Sequence, residues 1–156
     1  MFTQQIVSKL QLPLVLFLCL TASGCYFRPA RVPVSGRVTL DGEPVPFGHI
    51  RFVPGDARAA FGEIENDGHF RLTTFDSGDG CVLGTHKVEV IARHPQGETS
   101  IRHLVPPKYG TAETSDISVE ITGPTSDLEV KLVSNGWKPF TENSVTGGDA
   151  DPSKIE

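Results

Sequence analysis

Val34-Ser-Gly-Arg-Val-Thr-Leu40 places Val34, Gly36, Val38 and Leu40 on one side of an extended chain and Ser35, Arg37 and Thr39 on the other. That is the period-two pattern of a half-buried strand. Asp41-Gly42 follows, a pair that supplies the positive backbone dihedrals of a tight hairpin. A returning strand over Val45 to Val53 turns Val45, Phe47 or Gly48, Ile50 and Phe52 inward, and His49 and Arg51 outward. Pro44 and Pro46 lack an N–H donor, which suits an edge or a strand beginning. A chain that opens in this way needs further strands to cover the face it has made.

Those strands follow at short intervals. Ala59 to Glu65 and His69 to Thr74 flank Asn66-Asp67-Gly68 and read as a β-hairpin with Phe70 and Leu72 inward. Phe75 to Gly80 has no hydrophobic rhythm and reads as a loop. Thr85 to Ala92 alternates His86, Val88, Val90 and Ala92 against Lys87, Glu89 and Ile91. His94 to Arg102 reads as an exposed polar excursion, and Val105 to Tyr109 as a bridge too rich in proline for a central strand. Ile117 to Ile121 and Leu128 to Leu132 complete the set, with Gly123-Pro124-Thr125-Ser126 turning between them. The 16 glycines and 12 prolines favour short elements and tight turns over long helices. Seven short strands in about a hundred residues predict an all-β, antiparallel, immunoglobulin-like sandwich over residues 34–133. After Val133 the apolar rhythm stops. Residues 134–156 carry too little apolar surface to offset the entropy of ordering them and read as a mostly disordered tail, with Trp137 and Phe140 packing locally on the sandwich.

Upstream, Lys9 is the only charged residue before Arg28, and Leu-Gln-Leu-Pro-Leu-Val-Leu-Phe-Leu-Cys-Leu20 follows it. This run is too short to cross a hydrocarbon core of ~30 Å as a helix. A positive charge, a short apolar core and small residues form the layout of a secretory signal. Thr21-Ala22-Ser23-Gly24-Cys25 resembles the lipobox of bacterial lipoproteins, with Ala22 where leucine is commonest. The resemblance implies a signal peptide over 1–24, cleavage before Cys25 and acylation of Cys25; ordinary cleavage near Ala22 or Gly24 is the alternative. Several acyl chains at ~0.8 kcal/mol per buried methylene make a lasting anchor. Tyr26, in place of aspartate, implies by the same resemblance that the inner membrane does not retain the protein. Residues 25–33, with Pro29 and Pro33, read as an extended tether of roughly 30 Å. The expected location is the cell envelope, lipid-anchored and facing the periplasm or exterior, with the outer membrane favoured.

Val34-Ser-Gly-Arg-Val-Thr-Leu-Asp-Gly-Glu-Pro-Val45 resembles the opening of carboxypeptidase regulatory-like, or transthyretin-like, domains. Glu65-Asn-Asp-Gly-His-Phe70 resembles the turn after that family's third strand. Gly84-Thr-His-Lys-Val-Glu-Val90 resembles its Gly-x-Tyr-x-Val-x-Val strand, with His86 in place of tyrosine. Leu104 to Tyr109 followed by Ser115 to Val119 resembles the ending of small planctomycete lipoproteins. The resemblance covers about Val34 to Val133 and implies a transthyretin-like form of the seven-stranded sandwich; such sandwiches host many roles, so it implies a scaffold more than a function.

The chemistry offered by the residues is sparse. The net charge is −5 and the bases are scattered, with no stripe to track a phosphate backbone, so nucleic acid is not an expected partner. Cys81 is the one cysteine of the folded part and forms no internal disulfide. It has no adjacent base and reads as an inert or partly buried thiol. His86, on an inward position, reads as a core imidazole bonded to a carbonyl or water. His49, His69, His86, His94 and His103 lie on separate elements without zinc-ligand spacing. They also lack the Tyr-Arg-Gly-Ser ending that transthyretin-like hydroxyisourate hydrolases carry. Asp76-Ser-Gly-Asp79-Gly80 has the content of a calcium loop, but Lys87 stands where an EF-hand needs its last acid. No nucleophile elbow is present. The expectation is a non-catalytic module with no metal or cofactor, held to a membrane by lipid at Cys25. An envelope protein or a glycan is its expected partner, through the loops Phe75 to Gly84 and His94 to Tyr109. A carbohydrate-binding module, with Phe61, Phe75, Tyr109 and Trp137 as candidate platform residues, is the alternative, and a transthyretin-like hydrolase a lesser one.

Overall fold

The computed structural model describes residues 28–143, so the expected signal peptide, Cys25 and residues 144–156 lie outside the described residues. The chain is all-β, with a curled sheet that forms a sandwich. In order, the strands are β1 (Arg31–Val32), β2 (Val34–Leu40), β3 (Glu43–Pro44), β4 (Gly48–Pro54), β5 (Ala60–Ile64), β6 (His69–Arg71) and β7 (Cys81–Val82). They continue with β8 (Gly84–Ile91), β9 (Arg93–Pro95), β10 (Ser100–His103), the 3₁₀ turn η1 (Pro107–Gly110), β11 (Ser118–Ile121), β12 (Thr125–Leu132) and β13 (Phe140–Asn143).

The main sheet runs β11-β8-β4-β5-β6-β2-β12, with β3 added beside β2. Its corner is the β5–β6 hairpin, where pairing thins to Ile64 opposite Phe70 and a bridge between Phe61 and Thr73. On one side of the corner lie β11, β8, β4 and β5; on the other lie β6, β2 and β12. Phe52 of β4 and Phe70 of β6 meet across the gap with ring centroids 6.1 Å apart. Ile50, Val88, Leu72, Val38 and Val130 fill the space around them and are almost wholly buried. Each such side chain contributes about 1.5–3 kcal/mol relative to exposure. The inward faces are those the alternation predicts for β2, β4, β6 and β8, including His86 at 0% exposure.

The opening hairpin departs from expectation. Asp41 (φ 52°) and Gly42 (φ 91°) form the turn, but only Thr39 and Leu40 pair with the return, at Pro44 and Glu43. The chain then leaves that layer, and β4 pairs with β5 and β8 instead of β2. Pro46 supplies no donor to continue the ladder. Gly48 takes φ +127°, where a side chain would run into the Ile91 carbonyl. Further along β2, His69 to Arg71 already occupy the flank that a longer hairpin would use.

A second difference concerns β12. It pairs with β2 in parallel, from Thr125 opposite Val34 to Leu132 opposite Leu40, whereas the other main-sheet pairs are antiparallel. Gly36 permits the approach, because a Cβ there would overlap the Leu128 carbonyl.

The expected tether and excursion are also more ordered than their composition implies. Arg31 and Val32 pair with Val82 and Cys81, so the chain joins the domain before Val34. The segment expected as an exposed excursion forms the β9–β10 hairpin, and Phe140 to Asn143 of the expected disordered tail pair with β10 as β13. Three strands sharing backbone bonds compensate each other's entropy where the apolar content of each alone would not.

Gly80 lies under the β1–β7 seam at φ +80°, and a Cβ there would collide with the Val32 carbonyl. Gly80→Ala is therefore expected to lower stability by about 1–3 kcal/mol and to expose the amides of β1 to hydrogen exchange, while β8 stays protected. Urea unfolding and exchange measured on the same sample check both effects.

Candidate functional site

Three chemically capable groups are buried, two inside the sandwich and one beneath a covering segment. His86 on β8 places Nε2 2.8 Å from the Val82 carbonyl, so Nε2 carries the hydrogen, and its ring lies 5.8 Å from Phe52. Its Nδ1 finds no partner among the described residues. Cys81 is 1% exposed and free, and burial pushes its thiol up to about 11. Glu89, expected on the outer face of β8, is buried because residues 104–117 fold across that face. Its carboxylate sits 2.9 Å from Arg51, its cross-strand neighbour on β4, and accepts the Ala112 N–H at 2.9 Å.

The covering segment is pinned by Tyr109 on η1. Its hydroxyl donates to the Val133 carbonyl at 3.1 Å and accepts the Val133 N–H at 3.0 Å, which ties η1 to the end of β12. Tyr109 is 1% exposed and is thereby removed from the set of platform aromatics.

The loop between β6 and β7 is built around one carboxylate. Asp79 accepts the N–H groups of Thr74 at 2.7 Å, Phe75 at 3.2 Å and Asp76 at 3.1 Å, and pairs with the Arg31 Nε at 2.7 Å. Successive N–H groups of this kind form an anion nest, here filled by the chain's own side chain. Burial alone would raise the Asp79 carboxyl, but the N–H donors and Arg31 outweigh it and hold it below its ordinary value. Both oxygens are thus engaged by donors, which makes Asp79 the staple of the loop rather than a calcium ligand. Phe75, at the loop's start, lies beneath the guanidiniums of Arg28, Arg31 and Arg58 at 4.8–5.0 Å from its centroid.

The remaining aromatic group lies on the small sheet at the other end of the sandwich. His103 of β10 stacks on Phe140 of β13 at 4.8 Å and 7°, and Trp137 meets Phe140 edge-on at 6.0 Å. His103 Nε2 is 3.1 Å from a Glu142 carboxylate oxygen. Phe140 is 44% exposed. Of the candidate platform residues only Trp137 belongs to this group, since Phe61 lies on β5 against His49 and Phe75 is at the opposite end. The sequence signal for Phe140 was its place near Trp137; its pairing with β10 depends on a backbone register that local pattern does not carry.

The five histidines are not brought together, and no group of three or more metal-ligating side chains occurs among the described residues. The class defined by these contacts is a two-layer all-β sandwich with a small aromatic-bearing sheet at one end. Comparison with protein-family models, curated proteins and solved structures gave no match.

The burial of Cys81 has a measurable consequence. In the unfolded chain its thiol titrates near the ordinary 9.0, and in the fold near 11. Between those values the unfolded state holds fewer protons, so stability is full below about pH 9 and falls as pH rises toward 11. The urea midpoint of the native protein should fall more steeply over that window than that of Cys81→Ala. Thiol labelling at neutral pH should require denaturant.

Proposed function

We propose that the protein is a lipid-anchored module of the cell envelope, of the carboxypeptidase regulatory-like lipoprotein type. In this reading it has a non-catalytic structural or binding role. Acylated Cys25 holds it to a membrane, with the outer membrane favoured, and the sandwich faces the periplasm or exterior. The observation that carries the reading is a spacing: the lipobox-like Thr21 to Cys25 ends three residues before Arg28, which already pairs with Asp76 at 3.0 Å. An acyl group at Cys25 thus attaches to a folded body through a very short link. A non-catalytic role is supported by the employment of the reactive groups. His86 packs in the core, Cys81 is buried, and Asp79 and Glu89 hold backbone in place.

Mass spectrometry of the mature N-terminus tests the anchor. The native protein should begin at Cys25 with acyl mass added and fractionate with membranes; Cys25→Ser should lose both. A native terminus elsewhere, or an unmodified Cys25, refutes it.

A glycan-binding role is the second reading, favoured by the Trp137–Phe140–His103 cluster, in which Phe140 is exposed and Trp137 and His103 are partly so, with Glu142 beside it. Aromatic faces stack on sugar rings while carboxylate and imidazole groups accept and donate to hydroxyls. On a glycan array, binding by the native protein that weakens about tenfold in Phe140→Ala, one stacking contact's worth, upholds it. An array with no bound glycan removes it.

A further inference from the structure

Phe75 is 36% exposed, yet three guanidiniums from segments far apart in sequence converge on it: Arg28 and Arg31 from the N-terminal segment, Arg58 from the loop between β4 and β5. One stacked arginine is enough to cover an exposed ring; three concentrate positive charge over one partly exposed apolar group. Arg28 and Arg31 are partly offset by Asp76 and Asp79, and exposed Asp56 lies two residues before Arg58, but neither Arg58 nor Arg71 forms an ion pair among the described residues. Arg71 packs beside Gly78 on an open hollow of about 420 Å³ that also includes Pro33, Ser35 and Thr125. The molecule as a whole is acidic, at −5, so this basic patch runs against its average.

The position of the patch matters as much as its composition. Arg28 belongs to it, and Cys25 lies three residues upstream, a reach of at most about 11 Å. The Asp41-Gly42 turn, the Asn66-Asp67-Gly68 turn and the small sheet all belong to the far end of the sandwich. We infer that the face made by Phe75, Arg28, Arg31 and Arg58 docks on an anionic phospholipid surface. The ring enters the headgroup layer and the guanidiniums meet lipid phosphates. Docking stands the sandwich on end, with the Trp137–Phe140–His103 cluster held away from the bilayer. The inference rests on the proposed acylation of Cys25 for its placement at a membrane; the chemistry of the face does not require it.

The test uses the full protein purified from membranes and placed in vesicles of phosphatidylcholine alone or mixed equally with phosphatidylglycerol. A fluorophore on Ser77→Cys reports the face, one on Asn66→Cys reports the far end, and the N-terminal mass is measured on the same sample. Both positions are exposed, whereas Cys81 is buried. The expected result is shielding of position 77 from an aqueous quencher in the anionic vesicles only, lost at high salt, with position 66 open throughout. Arg58→Gln should lower the docked-to-undocked ratio about fivefold, the loss of one base at an anionic surface. Phe75→Ser should abolish shielding while the protein stays folded, the urea midpoint falling only by what the lost arginine contacts supply. Acylated protein whose position 77 is equally open in both vesicles, or whose shielding ignores both substitutions, overturns the docking and leaves the anchor standing. Shielding that appears only on adding envelope extract identifies a protein or glycan occupant and also overturns it. If the mass shows no acyl group, the anchor reading falls, and vesicle flotation of that same protein decides. Salt-sensitive flotation with the anionic vesicles alone, lost in Phe75→Ser, upholds the docking; its absence overturns it.

Discussion

The meeting of Phe52 and Phe70 across the sandwich is the contact on which the other features depend. The two rings sit on strands of different layers, and their burial rewards the chain for curling at the β5–β6 corner instead of extending a flat sheet. Once the layers are closed, whatever β7 and β8 present inward is sealed from water. His86 is therefore a packing residue with one bonded nitrogen, and Cys81 a thiol too deeply buried to ionise near neutrality. The same closure leaves chemistry only at the two ends and along the outer faces. The two surface features of interest, the arginine-stacked Phe75 and the small aromatic sheet, lie at those ends.

Strand positions and inward faces were legible because alternation is a local property of four to eight residues. The inward Ile50, Phe52, Phe70, Leu72, Val88 and Val90 all lie where the pattern puts them. Partners were not legible. The Asp41-Gly42 turn is real, yet after the two residues of β3 the chain crosses over and β4 belongs to the other layer, because Gly48 and the competing flank of β6 decide pairing at long range. The parallel register of β12 on β2 likewise depends on Gly36 letting the Leu128 backbone come close, a fact about two distant segments.

The candidate sites show the same division. That Asp79 sits in a turn-rich acidic loop is visible in the sequence; that it binds three consecutive N–H groups and Arg31 is not. Glu89 alternates as an outward residue and is buried by residues 104–117, whose prolines advertise only irregularity. Tyr109 and Phe140 exchange the roles their neighbourhoods suggest, one pinned inside through its hydroxyl and the other exposed on a strand drawn from an apparently featureless tail.

The β2–β12 ladder joins positions about as far apart as the domain allows, with Ser35 bonded to Ser126 across 91 residues. Loop closure of that length must precede the reward, which makes such topologies slow to fold. Until Leu132 has emerged from whatever synthesises or threads the chain, β2 keeps one unsatisfied flank, a template for any other strand nearby. The domain thus cannot complete itself from its N-terminal end as it appears. Its vulnerable interval is the time between the arrival of the first long strand and the last, and a chaperone that covers a bare strand edge would have its use in that interval.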